Sequence, residues 1–414
     1  MSALAPLRHN RDFVLLQVGQ LFSSFGSNMS RIAYPLLALA VTGSAADAGY
    51  VSAVLFAPML VLNLVAGVAA DRFERRRLMI VSDVVAAAAL GILAAAVIAH
   101  SAHLWLILLV AGVDSAAGVF FRAGQSGAFR AVVPLPQIAA AASVVQARLS
   151  VVRLGAPPVG GALFAVTRAL PFIADAASYA FSTGSLLLMR ARFQEAREPD
   201  RAPLRRQLAE GVSFFMRIPF LRTTMLMVAV SNFTVTGIEL AVIVLAKRDG
   251  LPGAAVGGFI ALTGATTLLG SLASPLLRRV LPMRRILLAE YWAAVAYAAF
   301  VLWPNVYVLA AAFAAQAFCF PNTDAAVAAY SYALIPDRLI GRAMSASNTM
   351  RVLATPLGPL AAGLLLASAT PRTTIVALAA PTVAVAVLGS LSKAIREVPP
   401  LPQLTEATTS IATG

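Results

Sequence analysis

Long apolar runs alternate with short polar turns along almost the whole chain. A helix needs about 20 predominantly apolar residues to cross a bilayer, and twelve runs approach or exceed that length. Lipid offers backbone N–H and C=O groups no partners, so we expect every run to be a helix. The predicted spans are residues 13–42, 48–69, 78–99, 103–124, 138–166, 170–189, 220–246, 254–277, 285–303, 306–329, 340–368 and 372–393.

One polar stretch, residues 190–222, interrupts this pattern near the middle of the chain. Within it, Leu208, Val212 and Phe215 share one helical face, which predicts a short interfacial helix over residues 204–217. The predicted divisions are an N-terminal six-helix half at 1–189, a cytoplasmic linker at 190–219, a C-terminal six-helix half at 220–398 and a disordered cytoplasmic tail at 399–414.

The two halves repeat each other in sequence. At an offset of 203 residues, Gly67, Asp71, Arg75 and Arg76 correspond to Gly270, Ser274, Arg278 and Arg279. A separate register of 202 residues pairs Pro134 with Pro336, Ser143 with Ser345, Gln146 with Asn348, Pro157 with Pro359 and Gly161 with Gly363. Two registers that agree to within one residue indicate six-plus-six pseudo-symmetry about an axis along the membrane normal, as in many secondary transporters.

Composition identifies the class of protein. Hydrophobic residues make up 59% of the chain and charged residues 12%, with a mean hydropathy of +0.82, whereas soluble domains are roughly 45–50% apolar. The sequence therefore predicts an all-α integral membrane protein. No small-residue cleavage site follows a short apolar core, so we expect the first span to act as its own insertion signal.

The formal charge of +14 reflects topology rather than nucleic-acid binding. The basic residues do not form an aromatic-interleaved face, and 23 of the 32 Lys and Arg fall in the predicted cytoplasmic loops. The positive-inside rule then places both termini in the cytoplasm. Five arginines lie within or near membrane depth: Arg31, Arg122, Arg148, Arg153 and Arg351.

The residues needed for several other activities are missing from the sequence. Cys319 is the single cysteine, and His9, His100 and His103 are scattered, so we expect no metal site and no cofactor. No Gly-x-x-x-x-Gly-Lys-Ser/Thr loop occurs, which argues against direct ATP use. No loop is long enough for a catalytic domain, so a membrane enzyme or sensor is disfavoured.

The turn after the second span carries the most informative motif. It contains Gly67, Asp71, Arg72, Arg75 and Arg76. The glycine would let a neighbouring helix approach closely, the acid could face a helix N-terminus, and the arginines would hold the turn in the cytoplasm. We interpret the turn as a gating loop; the alternative is a simple positive-inside anchor.

Short words along the chain resemble those of a known family. They are Ala70-Asp71-Arg72 followed by Arg75-Arg76-Arg77, Thr42-Gly43-Ser44, Phe172-Ile173-Ala174-Asp175-Ala176, Glu210-Gly211, and Gly341-Arg342 before Met344. With twelve spans and a long central loop, they resemble the major facilitator superfamily, and within it the bacterial branch of enterobactin exporters and macrolide-type efflux proteins. Glu74 stands where many members have glycine.

The resemblance implies a monomeric exporter of small organic molecules, such as a drug, siderophore or natural product, that works by proton antiport and alternating access in the bacterial inner membrane. Its partners would be the substrate, protons and the lipid bilayer, without nucleic acid. A facilitator, an importer or a lipid flippase on the same fold is the alternative.

In this superfamily spans 1, 4, 7 and 10 line the central cavity. In the present sequence each of those spans carries a charge: Arg31, Asp114, Glu239 and Asp324. Charges at membrane depth are expensive and normally face protein or water. We expect Arg31 to pair with Asp114 or Glu239, and one of these acids to bind and release the coupled proton; structural pairing without proton exchange is the alternative.

Pro157, Gly160 and Gly161 in span 5 are similar to the Gly-Pro-x-x-Gly-Gly word that the superfamily associates with export, although Ala156 replaces its first glycine. Proline removes a helix hydrogen bond and the glycines permit close packing. A generic kinked packing helix is the alternative interpretation.

The remaining charges at membrane depth receive structural interpretations. Asp324 and Arg122 lie nearer the cytoplasmic ends of their spans, which favours gating or interhelix pairs. Asp83 and Asp175 lie close to span ends and are expected to be hydrated or capping carboxylates. Several aromatic residues are candidates for the cavity lining: Phe22, Phe25, Tyr34, Phe56, Phe233, Phe259 and Phe318.

Overall fold

The computed structural model describes residues 7–191, 212–335 and 347–396, and these residues form helices and turns without any strand. The predicted all-α fold is confirmed. The long helices are α1 (Arg11–Thr42), α2 (Ala45–Arg72), α3 (Arg75–Ile98), α4 (Leu104–Val132), α5 (Ile138–Val166), α6 (Leu170–Leu188), α7 (Pro219–Arg248), α8 (Gly253–Val280), α9 (Met283–Leu302), α10 (Val306–Leu334), α11 (Ser347–Ser368) and α12 (Pro371–Leu391).

Ten of these helices contain a stretch long and apolar enough to cross a membrane, and the two that do not are α1 and α6. Both carry many serines and other polar residues, and their buried positions include Gln20, Ser23, Ser178 and Ser182. Helices that satisfy polar groups against each other have a lower mean hydropathy than helices that face lipid. A total of twelve spans stays a prediction.

Two of the later spans are interrupted. Span α9 consists of a helix at Met283–Ala293, a 3₁₀ turn at Ala294–Tyr297 and a final helix at Ala298–Leu302. In α11 the regular helix resumes at Leu357 after a turn at residues 353–356.

The word Thr42-Gly43-Ser44 makes the tight connection between α1 and α2. Gly43 has a φ of 70° and its N–H closes the end of α1 on the carbonyl of Leu39, a left-handed conformation that favours glycine. Ser44 then caps α2, because its hydroxyl accepts from the N–H of Asp47 at 3.2 Å. Three residues thus end one helix and begin the next.

The described residues fall into two compact units, each considered by itself. The first comprises residues 7–191 and 246–261, and the second comprises residues 212–245, 262–335 and 347–396. In the first unit α1 packs along α6 and α5, while α4 packs against α2 and α3. This arrangement places α1, α4 and α6 around a shared interior.

Glycines set the closest helix contacts of the first unit. A Cβ at Gly160 would lie 2.8 Å from the backbone of Met29 on α1. Gly161 lies directly against the carbonyl of Gly253, and Gly257 against the carbonyl of Pro157. The proline-glycine word of α5 therefore packs against α1 on one side and the start of α8 on the other. The helix continues through both of its prolines.

The second unit has its own core and its own glycine contact. Phe220, Tyr291 and Tyr330 belong to one cluster of buried residues that joins α7, α9 and α10. Gly358 on α11 lies against the carbonyl of Phe233 on α7, and a Cβ at Gly237 would lie 3.0 Å from the carbonyl oxygen of Gly358.

The interfacial helix predicted at 204–217 lies partly outside the described residues, and so does the linker predicted at 190–219. Leu208 and the tail predicted at 399–414 lie entirely outside them. Residues 212–217 are helical. Phe215 is fully buried in the core of the second unit, so the interfacial placement expected for this residue is wrong. Its aromatic ring is stabilised by protein packing rather than by the membrane surface.

We expect Gly160→Ala to lower the stability of the protein, because the added methyl group would overlap the backbone of Met29. Overpacking of this kind costs about 1–3 kcal/mol. The matched control is Gly184→Ala on α6, where nothing lies within 4 Å of the added Cβ. Melting temperatures of both purified variants in detergent provide the measurement; equal melting temperatures would refute the proposed close contact.

Candidate functional site

Asp114 lies in the interior of the first unit, well inside α4. Its side chain is buried, with 8% exposure, and accepts hydrogen bonds from two tyrosines. The hydroxyl of Tyr34 on α1 donates to Oδ2 at 3.2 Å, and the hydroxyl of Tyr179 on α6 donates to Oδ1 at 2.8 Å. Three helices therefore meet at one carboxylate.

The hydroxyl of Tyr179 has a second contact. It lies 2.9 Å from Oγ of Ser27 on α1. While Tyr179 donates to Asp114, Ser27 is the donor in this pair, and the Ser27 hydroxyl can alternatively donate to the carbonyl of Ser23 at 2.9 Å. Asp114, Tyr179 and Ser27 thus form a continuous hydrogen-bonded chain across α4, α6 and α1. Hydroxyl groups that both donate and accept can pass a proton along such a chain.

A cavity of about 260 Å³ lies at the end of this chain, and every residue that lines it belongs to the first unit. Tyr179 and Ser27 lie in its wall, so the hydrogen-bonded chain connects the cavity with the buried carboxylate. Apolar residues and serines form much of the wall, and charged and amide side chains from four helices also line it: Gln20, Asn28, Asp83, Arg122, Gln125 and Arg148.

Asp83 and Asp175 are not the hydrated or capping carboxylates that their positions near span ends suggested. Asp83 is 1% exposed and Asp175 is 0% exposed. Ser182 donates to Asp83, and Ser178 donates to Oδ1 of Asp175 at 3.2 Å. Among the described residues, Oδ2 of each acid has no hydrogen-bond partner. The rotation of α3 and α6 about their own axes turns both side chains into the unit rather than outward.

Of the two partners expected for Arg31, Asp114 and Glu239, Asp114 does not form the ion pair. The polar contacts of Asp114 are with the two tyrosines, and Arg31 is an exposed residue of α1. Glu239 is half-buried on α7 in the second unit. Of the four sequence candidates, Asp114 is the one that the first unit surrounds with hydrogen-bond donors.

Asp324 belongs to a charged cluster in the second unit. It forms an ion pair with Arg351 across α10 and α11, which is the interhelix pair that the sequence favoured. Arg122 has no such pair among the described residues, so the pair expected for that arginine is absent.

Sequence reasoning missed Glu290 on α9. This side chain is 3% exposed and accepts a hydrogen bond from Ser231 on α7. A search for every charge inside the predicted spans would have found it, because Glu290 falls well within the run at 285–303. Tyr179 was also missed, and nothing in its sequence context distinguishes it from a packing aromatic.

The turn between α2 and α3 forms several contacts within the first unit. Asp71 forms an ion pair with Arg75 at 3.9 Å, although the Asp71 side chain is 71% exposed. Arg76 donates to the carbonyls of Leu186 and Leu187 at 2.8 and 2.7 Å. This arginine therefore caps the end of α6, since the last carbonyls of a helix lack partners of their own.

Gly67 and Arg72 have less defined roles. Within the first unit no described atom lies within 4 Å of a Cβ built at Gly67, so the close helix approach expected there is not seen in this unit. Arg72 is exposed at the end of α2. In the second unit the corresponding glycine, Gly270, lies against the carbonyl of Phe318.

Comparisons with known proteins agree with this architecture. Residues 16–306 match the Major Facilitator Superfamily. The multidrug efflux pump Tap of Mycolicibacterium fortuitum is 26% identical over 407 residues, covering 93% of this chain and 96% of that protein. Macrolide efflux protein A of Streptococcus pyogenes is 26% identical over 154 residues, covering 37% of this chain and 38% of that protein.

A solved structure gives the same fold. A bacterial homologue of the iron transporter ferroportin has a TM-score of 0.70 at 18% identity, covering 94% of this chain and 98% of that one. At this identity the likeness concerns the fold alone. Together with the helical architecture and the family match over most of its length, it shows that the chain is a multi-pass membrane transporter of the Major Facilitator Superfamily.

Proposed function

We propose that this transporter exports small organic molecules by proton antiport, with its two six-helix halves giving alternating access to the substrate. The export direction is supported by Tap, an efflux pump that aligns over nearly the full length of both chains. A drug, a siderophore or another natural product fits the proposal. We also propose the bacterial inner membrane as its location, with both termini in the cytoplasm, from the positive-inside rule.

The observation that carries the proton part of the proposal is the environment of Asp114. An antiporter needs a carboxyl group that is protonated in one state and deprotonated in another. Asp114 is buried, lacks a basic partner within its unit, and is held by two hydroxyl groups. Intramembrane carboxyl groups of this kind are costly to keep and commonly belong to proton relays.

The hydroxyl chain offers a route for the proton. A proton from water in the cavity would pass to Ser27, then through Tyr179 to Asp114, with each hydroxyl donating one proton as it accepts another. Both hydrogen bonds of Tyr179 are shorter than 3.0 Å. We propose that Glu239 and Arg31 line the substrate cavity. Asp324 is proposed to stabilise the second unit through its ion pair with Arg351.

The gating loop is proposed to control access from the cytoplasm. Arg76 ties the beginning of α3 to the end of α6, and Asp71 contacts Arg75. The exposed Asp71 side chain remains available to a further partner, as a gate requires. Pro157, Gly160 and Gly161 would contribute close packing of α5 during export.

We expect Asp114→Asn to abolish uphill export and to preserve downhill exchange, because the amide cannot take up the coupled proton. The measurement uses proteoliposomes loaded with ethidium or carboxyfluorescein under an imposed pH gradient. Asp249→Asn, at an exposed turn, is the control for loss of a carboxylate. Full uphill export by both Asp114→Asn and Glu239→Gln would contradict carboxylate coupling; uptake rather than export of both dyes would favour an importer.

Tyr179→Phe should slow gradient-driven export about tenfold, which corresponds to one lost charge-assisted hydrogen bond of roughly 1.4 kcal/mol. The comparison is Tyr34→Phe, which removes a longer hydrogen bond at a tyrosine without the contact to Ser27. Its effect should be clearly smaller. Rates of both variants with and without the pH gradient test this order, and equal losses would exclude a relay through Tyr179.

Asp71→Asn should greatly reduce transport at unchanged membrane abundance, since the proposed gate depends on its negative charge. Ser274 occupies the corresponding position of the second half, and Ser274→Ala should be almost silent. Dye export from cells that contain matched amounts of each variant provides the comparison. If both variants lose transport equally, the first loop has no special gating role.

A further inference from the structure

The cavity of the first unit contains two arginines that the proton pathway does not use. Arg122 enters from α4 and Arg148 from α5, and both line the same space as Tyr179 and Asp83. Neither arginine forms an ion pair with a described acidic residue. Arg122 is exposed and Arg148 is half-buried, and both line the open cavity. Cations that face such a space without an ion-pair partner are available to an anionic ligand.

Arg122 presents its charge to the cavity rather than to protein groups. No hydrogen bond from its side chain is found among the described residues, and its guanidinium folds back along α4. There, Nη1 lies 3.4 Å from a Cβ built at Gly118. Gly118 also lines the cavity. The absence of a side chain at Gly118 therefore leaves room for the guanidinium beside the open space.

Arg148 is held in place but only partly satisfied. Its Nη1 donates to Oε1 of Gln17 at 3.0 Å, while its Nε is buried and has no partner in the described part of the chain. Gln125 donates to Gln20 at 2.7 Å in the same wall. Arg148 is thus oriented by a neutral amide, and no hydrogen bond from its Nη2 is found among the described residues.

Asp83 does not neutralise these arginines. It lines the same cavity, but it accepts a hydrogen bond from Ser182, and its Oδ2 has no partner among the described residues. With Asp83 ionised the three groups carry a net charge of +1, and with Asp83 protonated they carry +2. Either state attracts an anion, and Asp83 opposes it when ionised.

We propose that this cavity recognises the acidic group of the transported molecule, a carboxylate or a phosphate ester, between Arg122 and Arg148. Guanidinium groups present their N–H donors in a planar fork that matches both anions. The volume of about 260 Å³ exceeds the roughly 150 Å³ that accommodates benzene, so a small aromatic acid fits. This inference rests on the proposed function, for which it supplies the substrate class: small organic acids.

The test compares ligands of nearly equal shape and different charge. Benzoate, benzamide and benzamidinium are titrated at neutral pH into the purified full-length protein in an uncharged maltoside detergent, where anionic lipid is absent. Phenyl phosphate is a fourth probe, for the phosphate-ester class. We expect benzoate or phenyl phosphate to bind about tenfold more tightly than benzamide, and benzamidinium to bind least. Equal affinities, or tighter binding of benzamidinium, would overturn the proposal.

Variants locate the binding within the cavity. Arg122→Gln and Arg148→Gln should each weaken anion binding about tenfold and leave benzamide within about twofold. Arg122→Lys keeps the positive charge and should bind the anions more tightly than Arg122→Gln. It also tests the site if Arg122→Gln is unstable. Arg153→Gln is the matched control. Arg153 is an exposed residue of α5, the helix that carries Arg148, and it is not part of the cavity wall. Anion affinity that is unchanged in both glutamine variants would refute the site.

Asp83→Asn gives a prediction of opposite sign. Removing the carboxylate should strengthen anion binding about threefold or more, because a like charge leaves the cavity; weaker binding with an intact melting temperature would count against the proposal. Ligand binding requires no pH gradient. A protein that binds benzoate but exports neither dye would therefore disprove the proposed export function and leave the proposed anion site standing. Export of ethidium in preference to carboxyfluorescein, by a protein that does not bind benzoate or phenyl phosphate more tightly than benzamide, would disprove the anion site and leave the export function standing.

Discussion

Polar groups inside a helical membrane domain must be satisfied by other parts of the protein, since lipid provides neither donors nor acceptors. The first unit meets most of this constraint by turning the polar faces of α1, α3, α4 and α6 toward one another, although Oδ2 of Asp83, Oδ2 of Asp175 and Nε of Arg148 have no partner among the described residues. Asp114 is the centre of the arrangement, because it accepts from both Tyr34 and Tyr179. The close approach of α1 and α6 belongs to the same solution: a Cβ at Gly26 would collide with Ser178 and Asp175.

The span pattern could be predicted from sequence because it depends on positions along one helix. Residues 138–166 are the predicted and the observed bounds of α5, and most other ends differ by only a few residues. Rotation about the helix axis is a different problem. Asp83 and Asp175 lie near span ends, which suggested hydration, yet both point into the unit and are buried. Only the neighbouring helices determine which face is inside.

The candidate site shows the same division. Asp114 could be chosen in advance because a carboxyl group deep in an apolar run is unusual. Its partners could not, because Tyr34, Tyr179 and Ser27 come from two other helices and have no distinctive spacing in the sequence. Arg122 and Arg148 were visible as charges, but their convergence on one cavity depends on how α4 and α5 pack around α1.

The two units treat the charges within their helices differently, despite the sequence repeat. In the second unit Asp324 is neutralised by Arg351, and Glu290 accepts from Ser231. In the first unit Arg122 and Arg148 share a cavity with Asp83 without forming an ion pair with it. A neutralised pair is already satisfied and favours a fixed helix arrangement. Charges that face open space can instead respond to whatever enters it. The proposed ligand and proton chemistry is therefore concentrated in the N-terminal helices, with Glu239 proposed to take part from the C-terminal ones, whereas Asp324 and Arg351 join α10 to α11.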